Sequence, residues 1–357
     1  MWNALKAVQL FFLLLVATGW IARYLPPDIF WWAALVAIFL PYTTLGLVPG
    51  LVLSFVSGQR WWTWISLGGF LLGASRVFFF PSPKTFSEQH TVSLRIMTYN
   101  YQPRSGSVYP GREGLLQLVK GQQPHILALQ EAEYWYRDDG KGVATVGIQE
   151  VIDSLAYRLI RPDGVQKKYE QPLLVSPELH VRKASQYRFA YGLDDRAPAV
   201  VTRAEIEWDG GIFALYNIHL RSFGSAKPWR EDEKCWVHPS CWLKYLRMYR
   251  DAYRKRAFEV RQIRRLIHVD SLPVVVVGDL NSTPYNWSYA QIRGSLVDVY
   301  ERVGRWPGFT YHSKQPFVRI DVIGSDPSFV PERAAVIKVK FSDHFPVVAD
   351  IRWRKGL

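Results

Sequence analysis

The sequence predicts an α/β domain built on a mixed, layered sheet and preceded by an apolar helical region. Two observations carry this. Val8 to Phe80 holds long runs nearly free of charge, among them LFFLLLVATGWIA, FWWAALVAIFL and WISLGGFLLGA, whereas from Val92 onward short apolar stretches alternate with amphipathic ones. Strands that arrive both as hairpins and after helices build mixed sheets in layers. At 357 residues, 48% hydrophobic and 15% aromatic, the composition excludes a disordered chain and allows a sizeable core.

A membrane-spanning helix needs roughly 20 mostly apolar residues. Three are expected, over about 7–25, 29–57 and 61–80, the second interrupted by Pro41 and Pro49. Trp20, Trp31, Trp32, Trp61, Trp62 and Trp64 fall near their ends, where interfacial aromatics belong. A cleaved secretory signal fits only the first run; a buried helical hairpin in a soluble protein is the alternative for the region. Lys6 and Arg60 would lie on one side and Arg23, Arg76 and Lys84 on the other, so loop charge does not orient the chain. The expected organisation is a transmembrane region over 1–80, a Pro/Ser/Thr/Lys linker over 81–91 and a soluble domain over 92–357.

The two cysteines, Cys235 and Cys241 in CWVHPSC, leave three readings: a small-loop disulfide, two free thiols, or part of a zinc site with His238. A disulfide requires an oxidising compartment and places the soluble part outside the cytoplasm, on an integral membrane protein.

Within the soluble part, VSLRIMTYN reads as a strand, GREGLLQLVKGQ as an amphipathic helix, HILALQ as a strand and VGIQEVIDSLAY as a second helix. APAVVTRAEIEW and GIFALYNIHL form a hairpin through Asp209-Gly210-Gly211. The helix KYLRMYRDAYRKRAFEVRQIRRLIH carries much of the net charge of +13, with Leu243, Leu246, Ala257, Val260, Ile263 and Ile267 as its apolar stripe. Its basic face is either solvated or in contact with phosphates of lipid or nucleic acid. LPVVVVGDL, RIDVIGS, AAVIKVKF and FPVVADIRW complete the strands.

Several strands stop at polar residues. RIMTYN ends at Asn100, ILALQ at Glu131, FALYNIHL contains Asn217 and His219, and VVVVGDLN ends at Asp279 and Asn281; RIDVI brings Asp321, and SDH brings Asp343 and His344. Each alone is an ordinary cap or turn residue. Gathered at one sheet edge, they are the parts that metal-assisted cleavage of a phosphate ester needs: oxygen ligands for a hard cation, a carboxylate for the attacking water, and donors for charge developing on phosphoryl oxygens.

The ordered set TYN, LQE, NIHL, GDLN, RID and SDH resembles the endonuclease/exonuclease/phosphatase superfamily, over roughly 92–352. The resemblance implies a four-layer α/β sandwich, two packed mixed β-sheets flanked by helices. It implies that Glu131 is the principal Mg2+ ligand, with Asn100 beside it and Asp343 nearby; Mn2+ or Ca2+ in place of Mg2+ is left open. Asp321 would orient His344, Asp279 would orient or deprotonate the attacking water, Asn281 would donate to a phosphate oxygen, and His219 would bind the phosphate or protonate the leaving oxygen. The chain departs from the family pattern at Val322, where an aromatic is common, and before Ser176, where a Gly is common.

TPYNWSYAQIRGSLVDVY followed by GRWPGFTY is similar to the membrane-tethered bacterial branch, some of whose relatives act on phospholipids or polyprenyl phosphates. With a bilayer tether raising the local concentration of headgroups, the expected partners are the bilayer and a lipid phosphate ester. SFGSAKPWREDEKCWVHPSCWLKYL offers aromatic and basic groups either to that surface or to a plain loop. A membrane-anchored nuclease, with nucleic acid as partner, and an inactive scaffold are the alternatives. The sequence leaves the oligomeric state open.

Overall fold

The structure is a computed structural model and describes residues 2–80, 92–102, 113–136, 142–165, 167–193, 195, 197–224 and 239–354. The expected linker, Cys235, His238 and most of the Trp-rich insertion lie outside the described residues. The chain forms two compact units, one of Phe80–Leu220, Gln262–Asn281 and Arg293–Leu357, the other of Met1–Phe79, Arg221–Arg261 and Ser282–Ile292.

The first of these is a pair of six-stranded mixed sheets with helices on their outer sides. One sheet runs β14 (Phe329–Val336), β15 (Val347–Trp353), β1 (Leu94–Asn100), β2 (Ile126–Gln130), β7 (Leu173–Val175), β5 (Arg158–Leu159). The other runs β12 (Val297–Asp298), β13 (Asp321–Ser325), β11 (Val274–Asp279), β10 (Gly211–His219), β9 (Ala199–Trp208), β8 (His180–Phe189). Each has one parallel pair at its centre, β1 with β2 and β10 with β11, and antiparallel neighbours elsewhere. A small third sheet joins β3 (Glu133–Tyr136), β4 (Gly142–Ala144) and β6 (Lys168–Glu170).

Period-2 alternation sorts the layers. Along β1 and β2, Met97, Tyr99, Leu127 and Leu129 meet the apolar stripes of α5 (Glu113–Gln122) and α6 (Ile148–Leu155). The intervening Thr98 and Gln130 turn the other way, to the second sheet, where Gln130 Nε2 donates to Asn217 Oδ1 at 2.7 Å. Asn217 Nδ2 in turn donates to the carbonyls of Leu129 and Gln171, at 3.0 and 3.2 Å. The sheets are therefore stitched by a buried, satisfied amide pair as well as by apolar contacts such as Phe213 with Phe329, centroids 5.5 Å apart. Tyr216, on the outer face of β10, reaches Asp270 and Arg203 near the end of the basic helix, α7 (Pro239–His268).

The expected strand AAVIKVKF is displaced. The ladder of β14 opens at Phe329, whose ring stacks on Trp353 at 4.1 Å, and closes at Val336 opposite Val347. Pro346 then has no N–H to continue the pairing. Strand β8 escaped the sequence reading because HVRKASQYRF has no apolar run; it is an edge strand with few buried side chains.

The other unit is helical. It contains α1 (Trp2–Ile21), α2 (Trp31–Ile38), α3 (Leu40–Val56), α4 (Arg60–Val77) and later segments that include most of α7 and of α8 (Trp287–Arg293). Trp2–Tyr24 is long and apolar enough to cross a membrane; α2 and α3 pass that test only together, and are bent by 65°. The bend falls at Phe39, and Pro41 in the first turn of α3 has no N–H with which to continue the hydrogen bonding of α2. Helix α4 falls short of that apolarity, so among the described residues one span is met outright, and two if the bent pair counts as one. Small residues let the helices approach: a Cβ on Gly46 would meet Phe12, and one on Gly73 would meet Thr44. Gln9, 2% exposed, donates to Ser66 Oγ at 3.1 Å.

The chain returns to these helices twice within the same unit. Tyr285 packs with Val16, Leu40 and Val77, and Asp28 takes an ion pair from Arg261 at 2.8 Å. Arg256 is buried, bonded to the Arg221 carbonyl and Ser282 Oγ, while Glu259 pairs with Arg221.

Candidate active site

Strand pairing delivers the polar residues to one edge. In the parallel pairs Asn100 stands beside Gln130, and His219 beside Asp279. Asp321 opens β13 directly opposite Asp279. His344 arrives from the turn before β15 and bridges to Tyr311.

Two backbone features complete the placement. Alternation along β2 would carry residue 131 to the helix side with Leu127 and Leu129, but φ at Glu131 is 53°, and the turned chain brings Oε1 within 3.1 Å of Asn100 Nδ2. Such left-handed backbone at a non-glycine costs on the order of 1 kcal/mol and persists where the surroundings enforce it. Gly278, φ 135°, is required by close approach, since a Cβ there would stand 1.9 Å from the Ile218 carbonyl oxygen.

The side chains form one continuous set. Asn100 Nδ2 donates to Asp279 Oδ2 at 2.9 Å as well as to Glu131. Asp279 Oδ1 accepts from the Asn281 amide at 2.7 Å, and Asn281 Nδ2 donates to Asp279 Oδ2 at 3.2 Å and to the Leu220 carbonyl at 2.9 Å. His219 Nε2 lies 3.6 Å from Glu131 Oε1 and 3.8 Å from Asp279 Oδ2. His344 Nδ1 faces Asp321 Oδ2 at 2.9 Å, leaving Nε2 3.7 Å from Asp279 Oδ2. Asp343, 8% exposed, joins through its charge on His344. All eight residues expected from the sequence are thus brought to one place.

Negative charge is in excess there. Burial pushes the Asp279 carboxyl up, with Asp321 adding to the rise against the pull of His344 and His219. Burial alone would push the His344 imidazole down, but attraction to Asp321, Asp279 and Asp343, with the Asp321 hydrogen bond, overrides it and holds the group up at about 9. The Asp321 contact keeps the Nδ1 proton in place, so Nε2 is the position at which His344 takes up or releases a proton.

The donor set suits a hard divalent cation. Asn100 is fully buried, its Oδ1 has no hydrogen-bond partner among the described residues, and it sits beside the half-exposed Glu131 carboxylate. Asp279, Asp321 and His344 also bring ligand atoms within 4.8 Å of one another. There Nδ1 of His344 is engaged by Asp321, which leaves Nε2 as the ring nitrogen that faces Asp279. Of the two departures, Val322 is buried, and the Ser176 amide is bonded to the His125 carbonyl.

Cys241 is disulfide-bonded, which removes the free-thiol and zinc readings for it.

The fold and the acid, amide and histidine set define a metal-dependent phosphoric ester hydrolase. Residues 98–344 match the model of the Endonuclease/Exonuclease/phosphatase family, and the chain belongs to that family. Among solved structures it resembles a family protein of Leptotrichia buccalis, at 16% identity and TM-score 0.53 over 73% of this chain and all of that one. It also resembles one of Bacteroides thetaiotaomicron, at 18% identity and TM-score 0.51 over 74% of this chain and all of that one. A family protein of Beutenbergia cavernae matches at 18% identity and TM-score 0.50, over 73% of this chain and 72% of that one. No curated protein matches the chain by sequence.

Proposed function

We propose that this enzyme hydrolyses a phosphate ester of a membrane lipid, by in-line attack of a water activated in the site. The observation that carries the lipid assignment is the helical unit. Its apolar helices, with Phe11, Leu14, Val52 and Phe55 exposed, share one compact body with Arg221–Arg261 and Ser282–Ile292. The packing of Leu13 against Gly69 and of Val16 against Leu40 supports a retained anchor over a removed leader. The disulfide at Cys241 supports an extracytoplasmic catalytic domain.

Glu131 and Asn100 would hold Mg2+, with Asp343 nearby, and the bound ion supplies positive charge to the phosphoryl oxygens. Asp279, held by Asn100 and Asn281, orients the water and accepts its proton. Asn281 and His219 donate to phosphate oxygens, His219 also serving the leaving oxygen. His344, charged and fixed by Asp321, stabilises the charge that builds on phosphorus oxygens.

The test is release of phosphate or phospho-headgroup from a panel of lipids in detergent micelles, with Mg2+ or EDTA, for the intact protein and Glu131→Ala. Metal-dependent release from one lipid class, lost in the variant, is expected. Nicking of DNA without release from any lipid would replace this reading by the nuclease, and neither activity by the scaffold.

A further inference from the structure

The segment Thr310–Ser313 contributes none of the polar residues expected at the site, yet it touches both members of the Asp321–His344 pair through the backbone. Thr310 is fully buried. Its Oγ1 accepts from the amides of Ile320 and Asp321, at 3.1 and 3.3 Å, and its carbonyl accepts from the Phe345 amide at 2.8 Å. One residue therefore fixes the backbone at Asp321 and the backbone immediately after His344. Its neighbours repeat the pattern. Tyr311 exchanges hydrogen bonds with Val318 and sets its ring 4.8 Å from the His344 ring. Ser313 donates from its amide to the Asp343 carbonyl at 2.8 Å and from Oγ to the Ser342 carbonyl at 2.7 Å.

Chemistry narrows the choice at 310. A hydroxyl oxygen can accept from two converging amides, whereas valine, of the same shape, would leave both buried donors without that acceptor. Asp321 and His344 come from different sheets, one opening β13 and the other preceding β15, so their 2.9 Å contact depends on the two backbones keeping their spacing. We infer that Thr310 is a positioning residue for catalysis: it sets the distance between Asp321 and His344 without touching substrate.

The inference rests on the phosphoesterase site but not on the lipid substrate, so a small chromogenic probe tests it. Hydrolysis of bis(4-nitrophenyl) phosphate and 4-nitrophenyl phosphate by the full chain in detergent with Mg2+ would be measured. Thr310→Val should lower kcat about tenfold to a hundredfold, with KM within about twofold and Thr310→Ser restoring most of the rate. On the residual activity of His344→Ala, Thr310→Val should cause no further loss, because the pair it positions is already broken. Equal loss in both backgrounds, an unchanged kcat, or failure of serine to rescue would overturn the inference. If Thr310→Val does not fold, Ser313→Ala takes its place: loss in the wild-type background alone supports the inference, and no loss or equal loss overturns it. A wild-type protein that cleaves neither ester overturns the inference together with the site reading.

Discussion

Two buried charge clusters lie within the stretch Arg319-Ile320-Asp321 and its neighbours, and they are built on opposite principles. Arg319 is 5% exposed, and its guanidinium is matched by Asp298 and Glu301, each at 2.7 Å. Two residues on, Asp321 enters a set in which Glu131, Asp279, Asp321 and Asp343 outnumber the two imidazoles of His219 and His344. The first cluster is closed: its charges answer one another and hold α9 (Val299–Val303) to the start of β13. The second is open. Burying uncompensated carboxylates is unfavourable, and in the proposed function a bound cation would offset that excess.

The widest gap between the two should appear in activity. Glu131→Gln or His344→Ala should lower kcat/KM about a thousandfold with cooperative unfolding retained, in a steady-state assay with Mg2+. A fall of less than about tenfold would erase the distinction.

Stability should respond in the opposite sense. Arg319→Met leaves two carboxylates with their buried partner gone and should cost about 3–5 kcal/mol in denaturant unfolding. Glu131→Gln, which relieves crowding of negative charge, should leave the metal-free protein as stable as the wild type or more so.

A pH dependence sharpens the account of the open cluster. His344 is held at about 9 in the folded chain, above the ordinary imidazole value near 6.5. Its contribution is therefore complete below about pH 6.5 and lost as pH rises toward 9, on the order of 3 kcal/mol for this buried group. In EDTA, wild-type stability should fall across that window and His344→Gln should be flat; equal slopes would mean that His344 is not held charged.

These contrasts also mark what can be read from residues alone. Asn100, Glu131, Asp279 and Asp321 announce themselves because each interrupts an apolar strand at its end. Strand pairing, parallel for β1–β2 and β10–β11 and antiparallel for β11–β13, then does the gathering. Thr310 gave no such signal, since a threonine in GFTY looks like any loop residue until the Asp321 amide folds back on it. The amide pair Gln130–Asn217 was similarly silent: Asn217 stood out as polar within β10, but its partner is 87 residues away. Strand β8 and the return of Tyr285 to the N-terminal helices depend on contacts between distant segments, which local pattern does not encode.

The most direct test of the open cluster is thermal unfolding of the intact protein in detergent as Mg2+ is titrated from an EDTA-treated state, with Glu131→Gln beside the wild type. A ligand bound only by the folded chain stabilises it by about 2.7 kcal/mol at a hundred times its Kd. A saturable rise in the wild-type Tm that the variant lacks is the expected result. Identical responses in the two proteins would contradict the claim that this carboxylate set holds a divalent cation.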